Sequence, residues 1–101
     1  MKVTWPERAK ESLRRVRDRM AEWSEPGADR FAAEVIERSA LLGLFPERGR
    51  VVQEFGERSL RELVIRDYRL LYFVGVDEVE ILGLIHGAMD LRSDPGVASD
   101  N

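Results

Sequence analysis

"RELVIRDYRLLYFVGVDEVEILGLIHG", residues 61–87, carries two apolar runs on either side of the acidic pair Asp77-Glu78. Both runs are dense in Val, Ile, Leu and aromatic residues, the types that fit a pleated, half-buried surface. The stretch and its approaches predict strands over residues 51–55, 60–66, 68–76 and 79–86, with breaks at "GERS", around Asp67 and at Asp77-Glu78. Arg61 opens the quoted stretch, Arg69 lies inside it, and the chain's one histidine, His86, stands near its end.

Upstream of this stretch the period is helical. Residues 2–5 form a short extended lead-in, and Pro6 suits the first turn of a helix because its missing N–H is not needed there. Ala9, Leu13, Val16, Met20 and Trp23 follow at spacings of 4-3-4-3, one apolar stripe along a helix. "SEPG" at 24–27 breaks it. A second helix over about residues 28–42 places Ala28, Phe31, Ala32, Val35, Ser39 and Leu42 on one face. The expected fold is α+β: an N-terminal short strand and a helical hairpin packed on a small antiparallel sheet of three to four strands. Residues 1–91 form one domain, and 92–101 a polar C-terminal tail.

The chain has 101 residues, 44% apolar and 35% charged, as expected for a single globular domain. It has no cysteine, which excludes disulfides, thiol nucleophiles and thiolate metal sites. With one histidine no metal site is expected either, nor any cofactor. There is no apolar leader and no run of about 20 apolar residues, so a cytoplasmic protein without a membrane segment is expected. Net charge is −3, which disfavours non-specific nucleic-acid binding. The charge is uneven: residues 1–23 hold seven Lys/Arg against four Asp/Glu, and 74–101 hold one against six.

If Asp77-Glu78 is a two-residue hairpin loop, Val76 faces Val79 and the pairing runs Val74–Ile81, Tyr72–Gly83 and Leu70–Ile85 on one face. The other face then carries Phe73–Leu82, Leu71–Leu84 and Arg69–His86, making the arginine and the histidine cross-strand neighbours. Both faces are apolar. The helices cover one; Leu71, Phe73, Leu82 and Leu84 on the other require a loop, the tail, the curl of the sheet or a partner.

Several phrases, in order, resemble the ParE/RelE toxins of bacterial type II toxin–antitoxin modules: "VTWPERAKESL", "ADRFAAEVIE", "LGLFPERGRVV", "LRELVIRDYRLLY" and "VEILGLIHG". Together they cover residues 3–90, and "RELVIRDYRLLY" with "IHGAMD" looks more like the ParE branch. The resemblance implies a growth inhibitor that forms a hetero-oligomer with a cognate antitoxin, held through an extended antitoxin segment on the helices and sheet. ParE-type members act on DNA gyrase, and RelE-type members cut messenger RNA on the ribosome.

Those two targets ask for different chemistry. RNA cleavage by a 2′-hydroxyl needs a base, an acid and cationic stabilisation of the transition state. Arg69 could clamp phosphate, and histidine as a residue type titrates near neutrality. Glu54 and Glu62 are candidate bases, and Arg61 or Arg66 a second clamp. Positions matching the ribonuclease branch suggest Arg69 and His86, with Glu54 loosely placed. That branch also brings a C-terminal tyrosine or several lysines. This chain has only Lys10 after its start, no aromatic residue after His86, and six acidic residues from Asp77 onward. Whether the chain is an enzyme is therefore open. The leading expectation is a ParE-like protein that binds DNA gyrase, with Arg69, His86, Leu71, Phe73, Leu82 and Leu84 as antitoxin- or target-binding residues. The alternatives are a ribosome-dependent endoribonuclease using Arg69, His86, Glu54 and Arg61, and a non-toxic member acting through its antitoxin complex.

Overall fold

The computed structural model describes residues 1–93; residues 94–101, most of the expected tail, lie outside it. The elements are β1 (Lys2–Thr4), α1 (Glu7–Ala21), α2 (Glu25–Ala40), β2 (Arg50–Val51), β3 (Leu60–Ile65), β4 (Tyr68–Val74) and β5 (Glu78–His86), with 3-10 turns at Leu41–Gly43 and Leu91–Ser93. The expected α+β class holds: two helices lie on one face of a sheet.

Pro6 stands just outside α1, its carbonyl accepting from Ala9 N and Lys10 N. Ala9, Leu13 and Val16 are buried and Met20 partly so, as the stripe predicts. Trp23 is not part of it. The helix stops at Ala21 and the turn carries Trp23 into solvent, 91% exposed. "SEPG" turns out to start α2 rather than to separate the helices. Ser24 Oγ accepts from Gly27 N at 3.1 Å, and Pro26 occupies the first turn, where an N–H has no partner to lose.

The sheet has five strands in the order β1-β5-β4-β3-β2, not three to four. It is also mixed: β1 runs parallel to β5, with Lys2 beside Glu78 and Thr4 beside Glu80. The strand expected over 51–55 shrinks to Arg50–Val51, paired with Arg61 and Glu62. Phe31, Val35, Leu42, Leu63, Ile65, Leu70, Tyr72, Val79, Ile81 and Leu84 form the main core between helices and sheet. Tyr72 is fully buried, yet its hydroxyl donates to Pro46 O and accepts from Gly49 N, both at 2.8 Å. A side chain at Gly49 would meet that hydroxyl at 2.5 Å, so the loop closes over Tyr72 only because position 49 has none.

The β4–β5 register corrects the expected one. Val74 pairs with Val79, because Gly75 N donates to Glu78 O and centres the turn one residue earlier. That change moves the pairing by two and leaves every side chain on its face. A bulge at Leu82 then adds one residue between the Tyr72–Ile81 and Leu71–Gly83 pairs. Beyond it the remainder of β5 turns over: Leu84 joins the main core and Ile85 the far face. Arg69 lies opposite Ile85, and His86 opposite Tyr68.

Candidate functional site

Alternation along β4 sends Tyr68, Leu70 and Tyr72 toward the helices and Arg69, Leu71 and Phe73 to the far face. Arg69 is 6% exposed there and fully engaged. Its guanidinium donates to both oxygens of Glu54 at 2.9 Å, to Glu62 Oε1, and to Met89 O at 2.9 Å. Glu62, itself buried, accepts a further bond from Arg50 Nε at 2.7 Å. Glu54 also accepts from Leu91 N at 3.1 Å, which ties the 3-10 turn at Leu91–Ser93 to the β2–β3 loop.

These contacts set the charges. The Arg69 guanidinium holds the Glu54 carboxyl well below its usual range, at about 2, and Glu54 in turn raises Arg69 further above its already high value. Both groups are charged at every physiological pH. A carboxylate held by two guanidinium nitrogens is a poor proton acceptor, and a guanidinium that already has two carboxylates is a poor phosphate clamp.

His86 lies on the opposite face, so the structure does not bring the expected pair together. Its ring meets Tyr68 edge-on at 5.6 Å between centroids, and its Nδ1 accepts from Ala88 N at 3.2 Å. Arg61 also takes the helix-side face. It donates to Gly49 O at 2.9 Å, which braces the loop over Tyr72. Arg66 has the one positive φ among described non-glycine residues, in the β3–β4 turn, and bonds Glu34 on α2. Of the four residues a ribonuclease would use, only Arg69 and Glu54 meet, and they neutralise each other. Among the described residues no group of three or more acidic or histidine side chains is placed to hold a metal.

The expected apolar far face divides. Leu71 is buried with Val52 and Leu91, beside Phe55, Leu60 and Ile85, so the β2–β3 loop and the C-terminal turn cover it. Leu84 belongs to the main core. Phe73 and Leu82 stay more than a third exposed, on an open groove. Two participants were not anticipated. Arg50 supports Glu62, and Ser12 on α1 bonds the backbone of Leu84 in both directions. Arg50 lies directly opposite Glu62 in the β2–β3 pairing, and the tight turn at Arg66-Asp67, which pairs Ile65 with Tyr68, sets Glu62 diagonally to Arg69.

Known proteins resemble this chain over nearly its whole described length. The family model described as "ParE toxin of type II toxin-antitoxin system, parDE" matches residues 3–91. A curated relative, "Toxin RelE2" of Caulobacter vibrioides, is 33% identical over 87 residues, covering 85% of this chain and 94% of that protein. Among solved structures, a chain of the "Chromosomal ParDE TA system from P. aeruginosa" superposes with a TM-score of 0.71 at 19% identity, covering 85% of this chain and 95% of that one.

Proposed function

The chain belongs to the ParE toxin family of type II toxin–antitoxin systems, and from that premise we propose that it inhibits growth by binding DNA gyrase, not by cutting RNA. The family implies a cognate antitoxin partner; in this reading the antitoxin neutralises the toxin by occupying its surface. The observation that carries the proposal is the sealed state of Arg69. Its five donors are directed at Glu54, Glu62 and Met89 O, and the histidine that would complete an acid–base site sits across the sheet. A transition-state clamp has to meet the substrate, and this guanidinium has no such freedom. The hollow beside it sets Arg50, Arg69 and Arg92 against Glu54, Glu62 and Asp90, paired with one another, so it offers a phosphate backbone no net attraction.

One finding favours the second reading, ribosome-dependent RNA cleavage: the curated relative bears a RelE name. Pulse-labelling after induced expression without antitoxin separates the two. DNA synthesis is expected to fall first, with induction of the DNA-damage response, and purified chain is expected to block supercoiling by gyrase. His86→Ala is expected to keep full growth inhibition, because its ring meets only Tyr68 and the Ala88 N–H and is not joined to Arg69 or Glu54. Protein synthesis falling first, with messengers cut on ribosomes and the effect lost in His86→Ala, would replace gyrase binding by catalysis. No effect on either synthesis would leave the non-toxic reading.

A further inference from the structure

The outward sides of the two helices differ. Every exposed position of α1, from Glu7 to Arg19, carries a charged side chain, the usual finish of a helix that faces water. The second half of α2 does not follow. Ala33, Ile36 and Ala40 are exposed, and so, past the helix end, are Leu41, Leu44 and Phe45, the last two at 74% and 55%. The 3-10 turn at Leu41–Gly43 prolongs the helix, with Phe45 N donating to Leu41 O at 3.0 Å, so the 3-4 spacing sets these residues along one line. A continuous apolar stripe on an outer face marks a contact surface. Two charges frame its second half. Glu37 precedes Leu41 by one turn, and Arg48, whose N–H donates to Phe45 O at 3.0 Å, follows. Both are exposed, and neither makes an ion pair among the described residues.

An acid at one end, a base at the other and apolar side chains between them make the stripe complementary to itself. We infer that a second copy of this chain occupies it, in a two-fold dimer whose stripes run antiparallel about a point between residues 42 and 43. In that register Leu41 of one copy meets Leu44 of the other, Phe45 lies on the small Ala40, and Glu37 faces Arg48. Each contact occurs twice. Nothing stands between the stripes at the axis, because Leu42 is buried and Gly43 turns toward the N-terminus, its carbonyl accepting from the Met1 ammonium. A parallel arrangement would set Glu37 against Glu37 and Arg48 against Arg48. The hollow around Arg69 lies on the far face of the sheet and stays open in the dimer. The inference does not depend on the gyrase reading.

Sedimentation equilibrium of the full chain tests it. Between about 1 μM and about 200 μM the mass is expected to rise from one chain to two. Leu44→Glu puts a carboxylate from each copy into the apolar centre and is expected to stay monomeric over the same range. Glu37→Arg and Arg48→Glu each create two like-charge contacts, and each is expected to weaken association about tenfold at low salt. The exchange Glu37→Arg/Arg48→Glu re-forms both pairs and is expected to return within about threefold of the wild type. All three positions are exposed, and circular dichroism of each variant checks the fold first. A wild-type chain that stays monomeric throughout would overturn the dimer; loss of gyrase inhibition in Leu44→Glu would then give the stripe to the target. Association unchanged in Leu44→Glu would overturn the surface. Single charge variants that weaken association without rescue by the exchange would overturn the antiparallel register.

Discussion

Without the Arg69 guanidinium, Glu62, 2% exposed, would keep only Arg50, and Glu54 would lose both of its short bonds. Uncompensated buried carboxylates are among the costliest single defects, so Arg69→Ala is expected to lose about 3–5 kcal/mol in urea unfolding. The same pair gives a pH signature. Glu54 titrates at about 2 in the fold against an ordinary value of 4.5, so its stabilising contribution is full above pH 4.5 and is lost as pH falls toward 2. That interval is worth on the order of 3 kcal/mol. Glu54→Gln is therefore expected to be less stable at neutral pH and to flatten the acid limb of a stability–pH curve. At this scale the sequence marks Arg69, Glu54 and His86 as chemically conspicuous but does not assign their faces. Whether a strand residue points to helix or solvent depends on each residue between it and the last turn, and one inserted residue reverses it.

At the scale of elements, that inserted residue is Leu82. Because the Tyr72–Ile81 and Leu71–Gly83 pairs lie on either side of it, deleting Leu82 leaves both registers intact and gives a regular ladder. Its side chain is exposed, so no core contact is lost. The deletion is expected to fold with a loss of no more than about 1–2 kcal/mol. Deleting buried Ile81 is expected to prevent folding, and thermal melts of the two variants provide the comparison. The helical hairpin and the three long strands were legible because their periods of 3.6 and 2 run over many residues. The bulge was not, since a single extra residue leaves no period; Gly83, a glycine inside a strand, is the local signal for it. The start of α2 was misplaced for a similar reason: Pro26 and Gly27 read as a break until Ser24 is seen as the cap. β1 was legible as a strand but not as a parallel edge, because its pairing partner lies more than seventy residues away.

For the whole molecule, the far face is closed by the segment that follows β5. Leu91 is fully buried against Val52 and Leu71, and Met89 O and Leu91 N anchor the segment to Arg69 and Glu54. Truncation after Gly87 is expected to cost at least about 2–3 kcal/mol from the leucine alone and to increase binding of a hydrophobic dye. The sheet is likewise closed by its two ends, Lys2–Thr4 lying against Glu78–Glu80, with the Met1 ammonium donating to Gly43 O. This arrangement has a consequence in time. Synthesis proceeds from N- to C-terminus, so β1 waits for a partner strand that is made more than seventy residues later. A loop this long is slow to close, and until then the strand has no place in the sheet. A chain released early, from a broken or interrupted message, is a fragment without the fold rather than a smaller version of it.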